Sequence, residues 1–352
     1  MALEQLVVDD FRCLQHVELE LSPKLNLVWG ENGAGKTSIL EAAFVLGRGR
    51  SFRTRLSERL IRQGAERFVV FGRTDGTPSQ SVGIEVSKLG GARARLDGRN
   101  LESLSELSAA VSVQAIDPEI HKLIEQGPER RRRWLDWLVF HVEPNFGSVW
   151  TRYSRCLRQR NAALRSHSAT ASVWDPELIS LGNLLADARS RVLERLRPFW
   201  EQTVVALSGL DPTMSMTRGW AHDLTLDDAL AAAGERDRIR GSSSVGPHRM
   251  DIHLRLHGKV ARDVLSRGQQ KLVAASMVIA QLKLLNWELG LRPLLLLDDP
   301  AAELDDQRLR HFVSEIGALN CQMLITSLRS ETQLFGVPDR VFHVEHGAVE
   351  RV

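Results

Sequence analysis

The chain has 352 residues and a formal net charge of +2 at pH 7, from 46 Lys and Arg against 44 Asp and Glu. Its hydrophobic fraction of 43% and charged fraction of 26% are those of a globular chain, which excludes the disordered, collagen-like and low-complexity classes. This length allows one large or two intertwined globular units with a sizeable core. With so small a net charge, any affinity for nucleic acid must come from local patches of charge.

Cysteine usage and the character of the N-terminus indicate the compartment. The chain contains three widely separated cysteines, Cys13, Cys156 and Cys321. Their odd number and spacing do not fit a disulfide framework or a paired-thiol metal motif. The N-terminus is acidic instead of basic and apolar, and the apolar run 272–282 is shorter than a membrane span. We therefore expect a cytoplasmic protein that is neither secreted nor inserted in a membrane.

The first part of the chain predicts a mixed sheet around one strand–loop–helix unit. Residues 3–21 alternate as in a hairpin, and 25–28 form a short apolar strand. This strand leads into a glycine-rich turn at Gly30, and an apolar helix follows from Thr37 to Leu46. Further strands are predicted where the hydrophobic period is two, at 68–72, 82–86 and 93–96.

From Glu129 to about Leu207 the hydrophobic period changes to that of a helix. An apolar stripe runs from Leu178 to Phe199, and we expect Pro198 to bend or end that helix. Six of the eight tryptophans lie in or just after this segment, and we interpret them as core residues in preference to base-stacking platforms. The segment predicts an inserted helical subdomain.

After the turn at 246–247 the sheet pattern returns. A strand is predicted at 250–256, an apolar helix after Gly268, a buried strand at 294–297, and further strands near 323–325 and 341–344. The expected fold class is α/β: a head of mixed sheet and helices formed by both chain ends, with an inserted α-helical subdomain. We place the head at 1–125 and 246–352 and the insertion at 126–245.

One motif between the first predicted strand and helix is specific for phosphate binding. It matches the pattern G-x-x-x-x-G-K-[ST] and comprises Gly30, Glu31, Asn32, Gly33, Ala34, Gly35, Lys36 and Thr37, which we call the phosphate loop. Glycines let backbone N–H groups wrap closely around a phosphate, and the helix start presents a positive dipole to it. We expect Lys36 to bridge the β- and γ-phosphates and the Thr37 hydroxyl to ligate Mg²⁺.

The buried strand at 294–297 ends in two carboxylates, Asp298 and Asp299, in the form of a Walker B segment. Two adjacent acids at a buried strand end would repel each other and lose solvation unless a cation or a polarised water compensates. The pattern therefore predicts that Asp298 binds Mg²⁺ and that Asp299 orients or deprotonates the attacking water.

A third motif opens the helix after Leu265. It places a hydroxyl, an arginine and a glycine at a helix N-terminus, through Ser266, Arg267, Gly268 and Gln269. A serine in this position is also an ordinary helix cap. The order of the motifs resembles the ATP-binding-cassette family, whose signature reads L-S-G-G-Q. Gln114 matches the Q-loop position of that family, and Glu303-Leu304-Asp305 matches its D-loop.

In that family two heads close face to face, and the signature of one head contacts the γ-phosphate held by the other. The resemblance implies an ATP-dependent homodimer in which residues 266–269 contact the nucleotide of the partner copy. It also implies that Gln114 joins Thr37 and Asp298 around Mg²⁺, and that Lys36 and Asp299 act with them in hydrolysis.

The chain resembles, more narrowly, the RecF family of bacterial recombination-mediator ATPases, which have heads of the ATP-binding-cassette and SMC type. The resemblance covers nearly the whole length and includes, besides the motifs above, Asp10-Phe11-Arg12, Gly49-Arg50-Ser51-Phe52-Arg53, Pro128 with Arg131-Arg132 and Leu135-Asp136, Gln159-Arg160-Asn161 and Gly246-Pro247-His248-Arg249. It implies ATP-gated clamping on DNA at single-strand/double-strand junctions, and help in loading RecA together with RecO and RecR.

Two departures from the wider cassette family bear on the rate of hydrolysis. Position 299 is Asp where transporters carry Glu, which shortens the reach to water, so we expect slow hydrolysis. Thr326-Ser327 stands where many cassettes have a switch histidine, and the group that senses the γ-phosphate stays open.

Two clusters of arginine are candidates for phosphate contacts with DNA. One comprises Arg48, Arg50, Arg53, Arg55, Arg59, Arg62 and Arg67; the other comprises Arg130 to Arg133 with Arg152, Arg155, Arg158, Arg160 and Arg165. The alternative is that these arginines form solvated helix faces.

Two other functions compete with DNA repair. A cytosolic cassette ATPase acting on a protein or ribosomal partner would use the same motifs without touching DNA. A small-molecule kinase explains neither Gln114 nor residues 266–269.

Overall fold

The computed structural model describes residues 2–102, 104–166, 169–300, 306–330 and 335–352. The chain divides into two compact units, one formed by Met1–Ile120 with Ala275–Val352 and the other by His121–Ala274. Both chain ends therefore contribute to the first unit.

The strands of the described chain are β1 (Leu3–Phe11), β2 (Leu14–Glu20), β3 (Leu25–Trp29), β4 (Arg67–Thr74), β5 (Ser81–Ser87), β6 (Gly91–Leu96), β7 (Arg99–Asn100), β8 (Val113–Ile116), β9 (Thr213–Thr217), β10 (Asp251–Leu256), β11 (Lys259–Val260), β12 (Leu294–Leu297), β13 (Gln322–Ser327), β14 (Arg340–Glu345) and β15 (Ala348–Arg351).

The α-helices are α1 (Lys36–Arg48), α2 (Leu107–Ala110), α3 (Lys122–Glu125), α4 (Pro128–Val142), α5 (Phe146–Arg165), α6 (Asp175–Ser208), α7 (Leu226–Arg240), α8 (Ala261–Val264), α9 (Arg267–Leu289) and α10 (Asp306–Gly317). Short 3-10 helices cover Ser57–Leu60, Leu104–Glu106, Ala169–Trp174 and Pro247–Arg249.

An antiparallel sheet of the first unit has the strand order β2-β1-β4-β5-β6-β7. The predicted hairpin is present, since β1 pairs with β2 and Val8 lies opposite Val17. Inward residues such as Leu6 and Val8 are fully buried while their neighbours are not, as the period of two requires.

A second sheet of the first unit carries the functional motifs. Its order is β15-β14-β3-β13-β12-β8, and all neighbours are parallel except β14 and β15. The leucines 294–297 of β12 are buried because a strand lies on each side of β12, which explains their continuous apolar run. Parallel strands end at the same edge of a sheet, so the loop after β3 and the acids after β12 meet there.

Helix α1 packs against strands of both sheets and joins them in one core. Ile39, Leu40 and Ala43 are among its fully buried residues. Gly49, at φ 62°, ends the helix, and its N–H donates to the Val45 carbonyl at 2.8 Å. The phosphate loop and its helix are therefore held by a hydrophobic core that includes residues of both sheets.

The second unit contains the predicted helical insertion together with a small sheet of order β11-β10-β9. Leu178, Leu185 and Val192 of the predicted stripe are buried along α6. Of the two outcomes expected at Pro198, an end of the helix is wrong, because α6 continues to Ser208, and a bend stays a prediction. The buried residues beyond it, including Trp200, supply packing that offsets the lost hydrogen bond.

The tryptophans of this unit divide between core and surface. Trp134, Trp137 and Trp200 are buried, as interpreted from the sequence, but Trp150 is 45% exposed.

Strand β10 pairs antiparallel with β9, with His253 opposite Ser215. This pairing draws residues 246–274 into the compact unit of the insertion, although the sequence analysis assigns them to the head. The predicted domain boundaries at 125/126 and 245/246 stay predictions, because a compact unit need not coincide with a domain.

Helix α9 is, in the part of the chain that the structure describes, long and apolar enough to cross a membrane by length and composition. Of its apolar window 72% is buried inside the protein, which is the situation of a core helix.

Candidate nucleotide-binding site

The phosphate loop connects β3 to α1 and follows a path that demands glycine. A Cβ on Gly30 would lie 2.2 Å from the Val344 carbonyl oxygen, so a side chain there would force β14 away. Gly35, at φ 119°, occupies a conformation that other residues rarely adopt. The Ala34 carbonyl accepts a hydrogen bond from the Gly347 N–H at 2.9 Å, which fixes the loop against the β14–β15 turn.

Lys36 folds back over the loop. Its ammonium donates to the carbonyl oxygens of Gly30 at 2.7 Å and Glu31 at 2.8 Å. Burial lowers the pKa of Lys36, and the negative charges of Asp299 and Asp298 oppose that shift. An ammonium has three N–H donors, so one remains to meet a phosphate.

Thr37, at the start of α1, meets the end of β12. Its hydroxyl lies 3.0 Å from each carboxylate oxygen of Asp298. The Thr326 hydroxyl donates to Asp298 Oδ1 at 2.8 Å and accepts from the Asp299 N–H at 2.9 Å. Thr326 is buried on β13 and fixes both acids.

Asp299 has a positive φ of 46°, which for a non-glycine residue is strained backbone in the left-handed region. Burial raises the pKa of its carboxyl, Lys36 lowers that pKa and Asp298 raises it. A carboxylate with a raised pKa is a stronger proton acceptor, which suits a residue that takes a proton from water.

The donor set fits Mg²⁺. A hydroxyl and a carboxylate oxygen 3.0 Å apart are hard oxygen ligands close enough to share one ion. Among the described residues, no group of three or more His, Cys, Asp or Glu side chains could hold a metal by itself. Mg²⁺ is commonly held by one or two protein ligands together with water and substrate phosphates.

Gln114, predicted to ligate Mg²⁺, is not brought to this site. It lies in β8 opposite Leu295, before the edge at which Asp298 begins. Its buried amide donates to Gln281 Oε1 at 2.7 Å. The sequence pattern did not show that β8 continues for two residues beyond Gln114. The hydrogen bond uses the amide nitrogen of Gln114, and the predicted role of its amide oxygen at Mg²⁺ stays a prediction.

The signature residues lie at the start of α9. The Gln269 side chain accepts from the Ser266 N–H at 2.9 Å, and the Gln269 N–H donates to the Ser266 hydroxyl at 3.3 Å. This reciprocal pair is a capping box, so Ser266 does cap the helix. Ser266 and Arg267 are nevertheless exposed and Gly268 is half-buried, which leaves this surface open to a ligand. The D-loop match at 303–305 lies outside the described residues.

A buried carboxylate on α1 was not predicted from the sequence. Glu41 is fully buried, one turn after Thr37, and receives two hydrogen bonds of 2.9 Å from Arg12. The Ser51 hydroxyl donates to the same carboxylate. A charged residue amid the apolar helix 37–46 was the available signal, since a buried carboxylate requires a partner.

Comparison with known proteins places this geometry in a family. The family model described as RecF/RecN/SMC N terminal domain matches residues 2–349. DNA replication and repair protein RecF of Pectobacterium atrosepticum is 37% identical over 355 residues, covering 99% of this chain and 98% of the relative. The RecF protein of Pseudomonas paraeruginosa is 38% identical over 362 residues, with coverage of 100% and 98%. The chain belongs to the RecF family.

Solved structures agree with this membership. A structure of the recombination mediator protein RecF with ATP, in the RecFOR pathway, matches with a TM-score of 0.90 and 26% identity. The match covers 100% of this chain and 97% of that one. An Smc head bound to the C-winged helix domain of ScpA matches with a TM-score of 0.59 and 18% identity, which shows the shared fold. The expected ATPase-head fold of mixed sheet and helices is thereby confirmed.

The structure assigns many of the clustered arginines of this RecF-family chain to internal contacts. Arg131 forms a two-bond ion pair with Asp251, at 2.8 and 3.0 Å. Arg132 donates to the Met250 carbonyl at 2.6 Å, and Arg160 is buried between two acids. Arg48 is buried as well, and burial lowers its pKa. These side chains hold the fold together and are poorly placed to meet a nucleic acid.

Another RecF-like motif, Gly246-Pro247-His248-Arg249, forms a partly buried cluster of polar contacts. His248 Nε2 lies 3.1 Å from the Ser243 carbonyl, which can only accept, so Nε2 carries the proton and Nδ1 accepts from the Tyr153 hydroxyl at 2.7 Å. Burial lowers the pKa of His248 to about 4. The motif therefore acts in the fold of the second unit.

Proposed function

We propose that this chain is an ATP-dependent DNA-binding protein of recombinational repair and replication restart. ATP drives two copies together, the dimer binds gapped or junction DNA, and slow Mg²⁺-dependent hydrolysis releases it. It helps RecO and RecR load RecA in the cytoplasm. The name of its relatives, DNA replication and repair protein, and the RecFOR pathway of the similar solved structure support this proposal.

One observation carries the nucleotide half of the proposal: the Thr37 hydroxyl and the Asp298 carboxylate lie 3.0 Å apart beside the phosphate loop. When bound there, Mg²⁺ would neutralise charge on the phosphate oxygens. Thr37 and Asp298 would hold it, and Thr326 keeps the carboxylate in position. The backbone N–H groups of residues 33–37 and the last N–H of Lys36 bind the phosphates.

Asp299 is the residue that this proposal places next to the attacking water. Its raised pKa favours acceptance of a proton from that water as the oxygen attacks the γ-phosphate. Its side chain is one carbon shorter than that of Glu, so the water is held less closely. This supports slow hydrolysis, which would set how long the ATP-bound dimer persists.

The signature surface supports dimerisation. Arg267 is exposed at the N-terminal end of the 23-residue helix α9, where the dipole and unpaired N–H groups already favour an anion. A phosphate held by a second copy would supply that anion. Arg267 then adds charge-assisted hydrogen bonds to the closed dimer.

Molar mass measured with ATP, ADP and no nucleotide, with and without gapped DNA, tests this function. We expect a dimer with ATP alone and tighter DNA binding by that dimer. Lys36→Ala should abolish both effects. Lys88→Ala should change neither, since Lys88 is exposed in the turn between β5 and β6. An ATP-independent dimer would contradict the mechanism. An ATP-dependent dimer without affinity for gapped DNA would instead favour a protein or ribosomal partner.

A further inference from the structure

Helix α5 differs from the other long helices of the second unit in its charges. Its 20 residues contain five arginines and no Asp or Glu. Helices α4, α6 and α7 each mix acids with arginines. A surface helix with charges of one sign gains no stability from pairs within itself, so its composition indicates an external partner of opposite charge.

The outward face of α5 is a regular stripe. Thr151, Arg155, Arg158, Ala162 and Arg165 follow one another at intervals of four, three, four and three residues, and all five are exposed. The opposite face is buried, through Phe146, Tyr153, Cys156, Arg160 and Leu164. The buried face holds the helix and fixes the direction of the arginines. We call Arg155, Arg158 and Arg165 the α5 basic stripe.

The two remaining arginines of α5 form ion pairs within the protein. Arg160 is buried, donating to Asp175 at 2.6 Å and to Asp237 at 3.0 Å. Arg152, on the flank, pairs with Glu177 at 3.0 Å. No described residue forms an ion pair with the α5 basic stripe, so its three charges face solvent.

The basic surface continues at the end of the stripe. A Cβ on Gly241, the residue that ends α7, would lie 3.0 Å from Arg165 Cγ. The last turn of α7 contains Arg238 and Arg240, both exposed, and Arg238 has a distant partner in Glu235 at 3.7 Å. Arg240 therefore extends the positive surface beyond Arg165.

The length of the stripe fits a DNA backbone. At 1.5 Å per residue, the helix rises about 15 Å from residue 155 to residue 165. A duplex presents about four phosphates per strand over that length, enough for one per arginine. No aromatic ring lies between Arg155 and Arg165 on which unpaired bases would stack, and the exposed Trp150 of α5 lies outside the stripe, five residues before Arg155. A continuous row of charges without interleaved rings favours the duplex over the single strand.

We propose that the α5 basic stripe binds the phosphate backbone of duplex DNA without reading sequence. The inference rests on the proposed DNA-binding function and names the surface responsible. Three guanidinium groups on one rigid helix neutralise three phosphates and release the counterions condensed on them.

The test is the salt dependence of binding to a gapped duplex with ATP, between about 50 and 200 mM salt. Replacing all three arginines with Gln keeps a good helix former at exposed positions. We expect the slope of log K against log salt to become shallower by about 2.7, and affinity to fall about 10²-fold at ~0.1 M salt. Arg155→Lys, Arg158→Lys and Arg165→Lys together should restore most of the slope, because lysine also binds phosphate.

A matched control removes three exposed arginines of the antiparallel sheet that belong to neither arginine cluster, Arg73, Arg93 and Arg95, by the same substitution. It changes the net charge equally and should leave the slope unchanged. If the stripe variant binds DNA with the wild-type slope, the inference is wrong while the proposed function stands. If the wild-type protein does not bind DNA, the proposed function itself fails.

A second measurement does not depend on removing charge. A photo-crosslinking residue at Ala162, exposed within the stripe, should capture duplex DNA in the presence of ATP. The same residue at Leu89, which is 98% exposed in the first unit, should not. Capture of an acidic protein at position 162, with no capture of DNA, would overturn the assignment to nucleic acid.

Discussion

The hydroxyl of Thr37 lies 3.0 Å from both carboxylate oxygens of Asp298, residues that are 261 positions apart in the chain. Thr37→Val keeps the shape of the side chain and removes the oxygen. We expect ATP affinity with Mg²⁺ to fall about tenfold or more, equivalent to ~1.4 kcal/mol. Titration calorimetry with and without Mg²⁺ checks this. The loss should disappear without Mg²⁺, and Thr213→Val should have no effect, since Thr213 is exposed in β9.

Thr326→Val tests the residue that orients both acids. The change removes the acceptor of the partly buried Asp299 N–H, at a cost of about 1 kcal/mol, and removes one hydrogen bond to the Asp298 carboxylate. We expect a lower melting temperature and slower ATP hydrolysis. Thr326→Ser keeps the hydroxyl and should retain hydrolysis; equal losses in both variants would refute the orienting role.

Asp299→Asn should separate stability from activity. Since burial raises the pKa of Asp299 in the folded state, its contribution favours folding at low pH and is lost as pH rises through that pKa. The variant should therefore melt at a higher temperature than wild type at neutral pH while losing hydrolysis. ATP should still produce the dimer, which then persists. A variant that releases the dimer at the wild-type rate would exclude Asp299 from hydrolysis.

The lowered pKa of His248 predicts that the second unit loses stability at acid pH. Its pKa is lowered to about 4 in the folded state, against about 6.5 when unfolded, so its contribution to stability is complete above 6.5 and is lost as pH falls toward 4. The loss is on the order of 3 kcal/mol. Denaturant titrations at several pH values should show a flatter profile for His248→Gln. Parallel profiles for variant and wild type would contradict this.

Ser266 combines a helix cap with a proposed contact to the partner's nucleotide, and two substitutions separate these roles. Ser266→Ala removes the cap and should cost ~1 kcal/mol of stability as well as weakening the ATP dimer. Ser266→Asp keeps a good cap but brings a negative charge to the phosphate, so stability should persist while dimerisation is lost. Sedimentation with ATP and thermal melting give the two readouts.

The elements that depend on local hydrophobic periodicity and on motif spacing could be predicted from the sequence. The hairpin, β3, the phosphate loop, α1 and the buried strand β12 all follow from alternation, apolar runs and glycine positions. Their meeting at one edge was also predictable, because parallel strands share an edge. The spacing of Ser266 and Gln269 is that of a capping box, so this feature could also be predicted from the sequence.

Features that depend on distant partners were not predictable. The ion pair of Arg131 with Asp251 joins residues 120 positions apart, and nothing local distinguishes Arg131 from the exposed Arg155. The position of Gln114 inside a strand was not predictable, because the extent of the four-residue strand β8 depends on its pairing with β12. Thr326 orients Asp298 and Asp299 because its strand, β13, pairs with β12.

The support of the phosphate loop by β14 has a consequence for synthesis on the ribosome. Strand β3 pairs with β13 on one side and β14 on the other, and Gly30 and Ala34 rest against Val344 and Gly347. The loop is translated about 310 residues before Val344 and Gly347, which support it. A nascent chain that ends before residue 344 thus carries the whole motif without the strand and turn that support it, and we expect it to bind nucleotide more weakly than the longer chain.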